Sequence, residues 1–314
     1  MPRSAERHED DLSNERAKPR SFHHSSYSPA RIAAERAERG LSVSVCLPAR
    51  ECAQTVGEIV GALAELRGAG AIDEIVVVDA ASADGTATVA ERAGAIVLQE
   101  DELMPSCGPV LGKGDAMWRA LSVLKGELVC FLDADTEAFS AHFATGLLGP
   151  LLCESEVSFV KAFYRRPFVQ GGISEAEGGG RVNRLMARPA LELFYPQLAE
   201  VRQPLAGEVA ARRELLEGVP FATGYGVEVA MLIDVWREVG LEGIAQVDLD
   251  ERRNRHQPLS ALEPMALTVL ATIARRLESE GRLSGLRSAV ARTGSGSPAS
   301  ALLERPPLAS VRVA

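Results

Sequence analysis

The chain has 314 residues, 46% of them apolar and 25% charged, with a formal net charge of −9. That length and apolar content suffice for one large buried core, or a domain with an appendage, and exclude disorder throughout. The negative balance excludes a general nucleic-acid or membrane-surface binder, because no broad positive field would gather phosphate backbones or anionic lipid; any phosphate ligand must meet a local basic island.

In chain order, residues 1–28 are charged, Ser-rich and poor in branched apolars, so a mobile tail is expected there, with folding beginning near Pro29. This opening holds no apolar stretch of signal-peptide length, and nowhere does the chain reach the ~18 apolar residues a membrane span needs. A cytoplasmic address is expected. It agrees with five scattered cysteines (Cys46, Cys52, Cys107, Cys130 and Cys153) that form no CxxC pair and read as reduced thiols.

PARIAAERAERG (29–40) predicts a short helix, with Ser28 before it and glycine at its end. An α/β alternation follows. Strands are predicted at 42–49, 73–82, 95–99 and 127–137, and helices at 55–66, 86–94 and 113–126. Uninterrupted Val/Ile/Leu strands between amphipathic helices indicate a parallel sheet covered on both faces. Past residue 150 the regularity weakens: a strand at 158–168, a glycine-rich loop, a helix from Arg181 to Leu193, a strand at 243–251 and an amphipathic helix at 264–279. The Gly/Ser/Pro-rich residues 286–314 read as a second flexible tail. The division expected is a nucleotide-binding half (29–150) and an acceptor-binding and dimerisation half (151–285).

Asp133-Ala134-Asp135 directly follows the apolar run LVCFL. Carboxylates beyond the carboxyl end of a parallel strand can hold a hard divalent cation and a ribose or phosphate; the bland alternative is a helix N-cap. Asp79 ends a second buried strand, VVVD, so two strands deliver carboxylates to one edge, which favours a nucleotide-diphosphate site. Gly112-Lys113-Gly114 lacks the spacing of a Walker motif, but a lysine flanked by glycines at a helix start can approach a diphosphate, or else sit in an ordinary exposed loop. In GGGRVNRLMARP (178–189), Arg181, Arg184 and Arg188 share a helical face after three glycines, either the required basic island or a solvated face. Arg252, Arg253, Asn254, Arg255 and His256 follow the strand at 243–251, where His256 reads as structural or as a ligand.

With LPAR (47–50), VVDAASADGT (77–86), GKGDAMWRAL (112–121), FLDAD (131–135), VKAFYRRP (160–167), GGGRVNRLMARP, QPLAGE (203–208), TGYGVEVAMLID (223–234) and RRNRHQPL (252–259) in place, the chain resembles a family. It is similar to the glucosyl-3-phosphoglycerate synthases and related mannosyl-3-phosphoglycerate synthases of glycosyltransferase family 81, over about residues 30–285. The resemblance implies a GT-A fold: a Rossmann-like, mostly parallel sheet flanked by helices, with a smaller acceptor-binding C-terminal part. It implies that Pro48, Ala49 and Asp79 line the nucleoside pocket and that Lys113 and Asp133 contact the donor. Asp135 and His256 would bind Mg²⁺ or Mn²⁺. Leu205, Tyr225 and Glu228 would meet the transferred sugar, and Gly180, Arg181, Val182, Asn183 and Arg252 the acceptor. The implied reaction is retaining transfer of glucose or mannose from UDP-glucose, GDP-glucose or GDP-mannose to the 2-hydroxyl of 3-phosphoglycerate, a route to compatible solutes. Asp135, Glu228 and Lys113 would carry the catalysis.

Three places depart from the family pattern: Pro48-Ala49-Arg50-Glu51-Cys52 where PxxNE is common, Asn183 where threonine is usual, and Asn254 where the metal-binding histidine aligns, with His256 two residues on. A sugar nucleotidyltransferase is the competing enzyme, but it needs a glycine-rich basic loop that LPARECAQT lacks. A non-catalytic nucleotide-sugar binder is the other alternative. Apolar positions Met265, Leu267, Val269, Leu270, Ile273 and Leu277 predict a homodimer through the last helix.

Overall fold

A computed structural model describes residues 18–170, 173–175, 178–254, 257–285 and 303–311. Among these, one eight-stranded sheet spans both expected halves. Its strands are β1 (Arg20–His23), β2 (Val43–Ala49), β3 (Glu74–Asp79), β4 (Ile96–Gln99), β5 (Leu128–Phe131), β6 (Phe159–Arg165), β9 (Val209–Arg212) and β11 (Ile244–Glu251). They run in the order β1-β11-β6-β9-β5-β2-β3-β4. All neighbours are parallel except β9, which lies antiparallel between β5 and β6. Outside this sheet, β7 (Phe168–Gln170) pairs with β8 (Ile173–Glu175).

The continuous apolar runs become strands covered on both faces, as β2, β3 and β5 show. On one face lie α1 (Pro29–Arg39), α2 (Val56–Gly68) and α5 (His142–Cys153), around Ile32, Leu63 and Phe143. On the other lie α4 (Lys113–Leu121) and α8 (Val227–Val239), around Trp118, Phe131 and Leu232. Helix α3 (Thr86–Ala93) packs on α2, and α9 (Leu259–Ser279) packs on α8. The helix predicted at 181–193 opens as a π-helical turn, Asn183–Ala187, and continues as α6 (Arg188–Phe194). Pro189 explains the wide turn, since it has no N–H to give the preceding carbonyls.

Both expected tails lose ground. The tail placed at 1–28 is wrong for residues 20–28: β1 pairs with β11, Phe22 opposite Val247, and Tyr27 is buried. An edge strand needs one partner and keeps its outward residues polar, so composition hid it. At the other end, β12 (Glu304–Arg305) pairs with β10 (Phe221–Ala222) beside α7 (Arg213–Gly218). Arg305 there reaches Asp115 at 2.6 Å, and the Trp118 indole N–H donates to the Pro306 carbonyl at 2.8 Å. Residues 1–17 and 286–302 lie outside the described residues.

Candidate donor and acceptor cleft

Strands β2, β3 and β5 end at the same sheet edge, which fixes their last residues side by side. Ala49 pairs with Asp79 across β2 and β3. The loops that follow are strained and interlocked: Glu51 and Ala81 take φ of 53° and 52°, a conformation non-glycine residues hold only when their surroundings impose it. Four bonds do so. The Glu51 N–H donates to the Ser82 hydroxyl at 2.9 Å and the Ala83 N–H to the Glu51 carboxylate at 2.8 Å. The Cys52 N–H reaches the Thr86 hydroxyl at 2.8 Å and the Ala53 N–H the Asp84 carboxylate at 2.9 Å. The departure at Glu51 thus has a structural use, since this residue clamps the two loops.

Asp79 is 1% exposed and sits behind the cleft wall. One carboxylate oxygen accepts from the Ser82 N–H at 3.0 Å, while Oδ1 has no donor among the described residues. A buried acceptor left unpaired is costly and suits a ligand hydroxyl or N–H.

Lys113, first residue of α4 after Gly112, bridges two carboxylates: Nζ lies 2.5 Å from Asp133 and 2.9 Å from Glu228. Burial opposes its charge, but Asp133 and Glu228 prevail and hold the ammonium well above the usual lysine range. Asp133 mirrors it: burial would raise this carboxyl, yet Lys113 and Arg252 outweigh that and keep it far below the usual range. Both are therefore charged at neutral pH.

Arg252 is 4% exposed and organises the centre. Its Nη2 lies 3.1 Å from Asp133 and 2.7 Å from Asp135, and its Nε 2.9 Å from Glu208. Glu208 in turn accepts from the Tyr164 hydroxyl at 2.7 Å, and burial pushes its pKa up. Arg252 Nη2 touches both carboxylates, so Asp133 and Asp135 converge at the strand end. Oxygen donors there fit Mg²⁺ or Mn²⁺. Asp135 is 54% exposed and open to the cleft. Gly207 lies so close to Asp133 that an added methyl group would collide with its carboxylate.

The cleft encloses about 1260 Å³ and is lined by Pro48, Ala49, Lys113, Asp133, Asp135, Leu205, Tyr225 and Glu228 on the donor side, and by Gly180, Arg181, Val182, Asn183 and Arg252 on the other. Thirteen positions singled out from sequence thus meet in one space; Asp79 lies beneath it and His256 lies outside the described residues. Asn183 is committed locally, accepting from the Leu205 N–H and donating to the Arg202 carbonyl, each at 3.3 Å, so its side chain braces the loop. Arg181 stacks over Phe168 at 5.2 Å and donates to the Gln257 carbonyl at 2.5 Å.

Two lining arginines, Arg166 and Arg202, were given no role in the sequence reading. Arg166 donates to Asn254 at 2.8 Å while its buried Nε has no partner, aligning one more cation with Arg181. Arg202 stacks on Phe163 at 4.4 Å, and Arg50 lines the donor end. Arg166 stood within the motif VKAFYRRP; Arg202 sits in an irregular loop with no periodic signal. Together these arginines form the local basic island that a chain of net charge −9 requires.

The sheet order, the strand-end carboxylates and the lysine at the start of α4 define a metal-dependent glycosyltransferase of the GT-A fold. The family model described as Glycosyl transferase family 2 matches residues 44–152. The chain is 42% identical over 281 residues to the glucosyl-3-phosphoglycerate synthase of Mycolicibacterium smegmatis, covering 88% of this chain and 92% of that protein. It is 50% identical, with a TM-score of 0.80, to the crystal structure of mannosyl-3-phosphoglycerate synthase from Rubrobacter xylanophilus, covering 86% and 84% of the two chains. The glucosyl-3-phosphoglycerate synthase of Mycobacterium tuberculosis in complex with Mn²⁺, UDP-glucose and phosphoglyceric acid matches at 36% identity and TM-score 0.79, covering 93% and 99%. The chain belongs to the glucosyl-3-phosphoglycerate synthase family. That membership removes the nucleotidyltransferase and the non-catalytic readings.

Proposed function

We propose that the chain transfers a glucosyl unit from UDP-glucose to the 2-hydroxyl of 3-phosphoglycerate, with retention at the anomeric carbon. The observation that carries this reading is the polarity of the cleft: a lysine and paired carboxylates at the strand ends of the donor half (29–150), and clustered arginines in the acceptor half (151–285). Relatives with UDP-glucose, phosphoglyceric acid and Mn²⁺ or Mg²⁺ bound support it. GDP-mannose is the second reading, favoured by the 50% identity to a mannosyl enzyme; GDP-glucose is the third donor to test.

In this mechanism Pro48, Ala49 and Asp79 hold the nucleoside, Asp79 through its unpaired oxygen. Asp135 and His256 would hold a divalent cation, which when bound would supply charge neutralisation for the diphosphate. Lys113 sits where the leaving oxygen gathers charge, a fixed positive group in a largely dry site, and such preorganised charge is the main source of rate enhancement in this chemistry. Glu228 orients the sugar together with Leu205 and Tyr225, its carboxylate held by Lys113 at 2.9 Å. The acceptor 2-hydroxyl attacks the anomeric carbon on the face from which the nucleoside diphosphate departs: the new C–O bond forms as the bond to the diphosphate breaks, the hydroxyl proton passes to the departing phosphate oxygen, and the α configuration is retained. Gly180, Arg181 and Val182 hold the acceptor's phosphate and carboxylate, with Asn183 and Arg252 setting the loop around them.

Among the described residues no helix is long and apolar enough to cross a membrane. The five cysteines are free, which supports a cytoplasmic address and reduced thiols. The product, a small anionic glycoside, suits a role as a compatible solute. The test is turnover of UDP-glucose, GDP-glucose and GDP-mannose with 3-phosphoglycerate, with and without Mg²⁺ or Mn²⁺. Turnover of none of them in the presence of metal would sink the reading. The metal concentration for half-maximal turnover should rise about 10-fold or more in His256→Ala and stay put in Asn254→Ala; the reverse pattern would move the ligand to Asn254.

A further inference from the structure

Strand β11 slips its register against β6 between Asp248 and Glu251. Inside that slip Asp250 takes φ of 64°, a left-handed conformation that aspartate tolerates better than most residues. Bulges of this kind re-aim a side chain. Here the Asp250 carboxylate is turned toward the N-terminal segment, where it meets two imidazoles. His24 Nε2 lies 2.7 Å from Oδ2, and His23 Nε2 lies 3.3 Å from Oδ1. The ligand atoms of the three residues all lie within 4.8 Å of one another.

We propose that His23, His24 and Asp250 form a second metal site, for a borderline-soft divalent cation of the zinc class, distinct from the Asp133–Asp135 position in the cleft. Two imidazole nitrogens and one carboxylate oxygen are the wrong set for Mg²⁺ and a common one for Zn²⁺, with the fourth position left to water. Zinc bonds of ~2.0–2.1 Å place neighbouring tetrahedral ligands roughly 3.3–3.4 Å apart. The His23–Asp250 separation already has that value, and the His24 contact closes to hydrogen-bond length.

The surroundings prepare both rings. His23 Nδ1 accepts from the Ser25 N–H at 3.2 Å and lies 2.9 Å from the Ser25 hydroxyl, which fixes the ring with its proton on Nε2, and a cation bound there would displace that proton. His142 serves a different purpose. Its Nε2 faces the Leu249 carbonyl at 3.1 Å and so carries the proton, leaving Nδ1 to accept from the Ser140 hydroxyl at 3.1 Å. Its ring lies 4.2 Å from that of His24, so it acts as a wall that fixes the His24 ring rather than as a ligand.

The site would pin β1 to the bulge of β11, two residues before Arg252, the group that holds Asp133, Asp135 and Glu208. Zinc occupancy therefore fixes the segment that carries the centre of the cleft.

The test uses the full chain, stripped with EDTA and then kept in saturating Mg²⁺ while ZnCl₂ is titrated by calorimetry, with Co²⁺ absorption as the spectroscopic readout. The expected result is one saturable Zn²⁺ per chain, a Co²⁺ spectrum of tetrahedral type, and a rise in Tm on zinc addition. Affinity should fall at least 10-fold in Asp250→Asn and in His24→Gln, and should be unchanged in Asp135→Ala. Asparagine keeps the shape and the left-handed backbone, so Asp250→Asn decides the matter even if His24→Gln folds poorly. No saturable zinc in the presence of Mg²⁺, equal affinity in Asp250→Asn and wild type, or loss of zinc in Asp135→Ala would each overturn the proposal.

Discussion

Arg181 illustrates how single residues divide the cleft. Its guanidinium is braced by Phe168 and the Gln257 carbonyl rather than by a carboxylate, leaving its charge for an anionic acceptor. Charge-assisted contacts of this kind contribute about 1.5–3 kcal/mol. Arg181→Ala should therefore raise the KM for 3-phosphoglycerate by roughly 10- to 100-fold, with hydrolysis of the donor alone little changed. Equal loss in both assays would assign the residue a general structural role. Lys161 makes a pH prediction. It is 1% exposed, donates to the Ala206 carbonyl at 2.8 Å, and burial pulls its pKa down to about 8, only partly offset by Glu228 and Glu208. Unfolded lysine titrates near ~10.4. Between those values the unfolded chain binds more protons, so this residue's contribution to stability rises with pH through that window and is least favourable below it. The stability difference between wild type and Lys161→Met, followed by denaturant unfolding from pH 7.5 to 10, should therefore shift in favour of wild type; a flat difference would mean that Lys161 is protonated throughout. Asp133, Asp135 and Lys113 were legible in the sequence because they stand at strand ends and helix starts, where local pattern fixes position. The pairing of Arg252 with Glu208 was not, since it joins residues from separate strands through register alone.

At the scale of elements, helix α5 is the instructive failure. HFATGLLGPLLC is buried almost all round and contains two glycines and a proline, so neither amphipathic period nor helix propensity announces it. Its glycines have a packing reason: at Gly149 an added methyl group would run into the Tyr27 ring, and at Gly146 it would come within 2.7 Å of Leu249. The N-terminal segment is thus seated on α5 through a position that must stay small. Gly149→Ala should destabilise the fold by about 1–3 kcal/mol, read as a lowered denaturation midpoint. The matched control is Gly61→Ala in α2, where nothing lies within 4 Å and the gain in helix propensity should stabilise by roughly 0.5–1 kcal/mol. If both substitutions behave alike, the contact with Tyr27 carries no weight. Strand β9 was likewise unread, because VAAR is four residues long with two alanines, and its place is set by backbone pairing with β5 and β6 that no propensity scale reports.

For the whole molecule, one sheet joins what the sequence divides into two halves, and the cleft opens along its edge. The alternation before residue 150 made the parallel part readable; the antiparallel β9 and the returning C-terminal segment depend on contacts between distant parts of the chain. Helix α9 packs Val269, Ile273 and Leu277 inward while Leu259 and Leu270 stay exposed, with Leu185 and Leu193 exposed on the neighbouring π-turn and α6. We propose that these apolar residues meet a second copy of the chain, the expected homodimer; sedimentation showing only monomer at micromolar concentration would count against it. The central claim is the joining of a sugar to 3-phosphoglycerate at the Asp135 end of this cleft. Its most direct test is NMR of the product formed from UDP-glucose, 3-phosphoglycerate and Mg²⁺ by wild type and by Asp135→Ala. Glucosyl-3-phosphoglycerate with an α-anomeric proton, from wild type alone and with both proteins folded, is the predicted result. A β-linked product, nucleotide release that does not depend on 3-phosphoglycerate, or undiminished product from Asp135→Ala would contradict it.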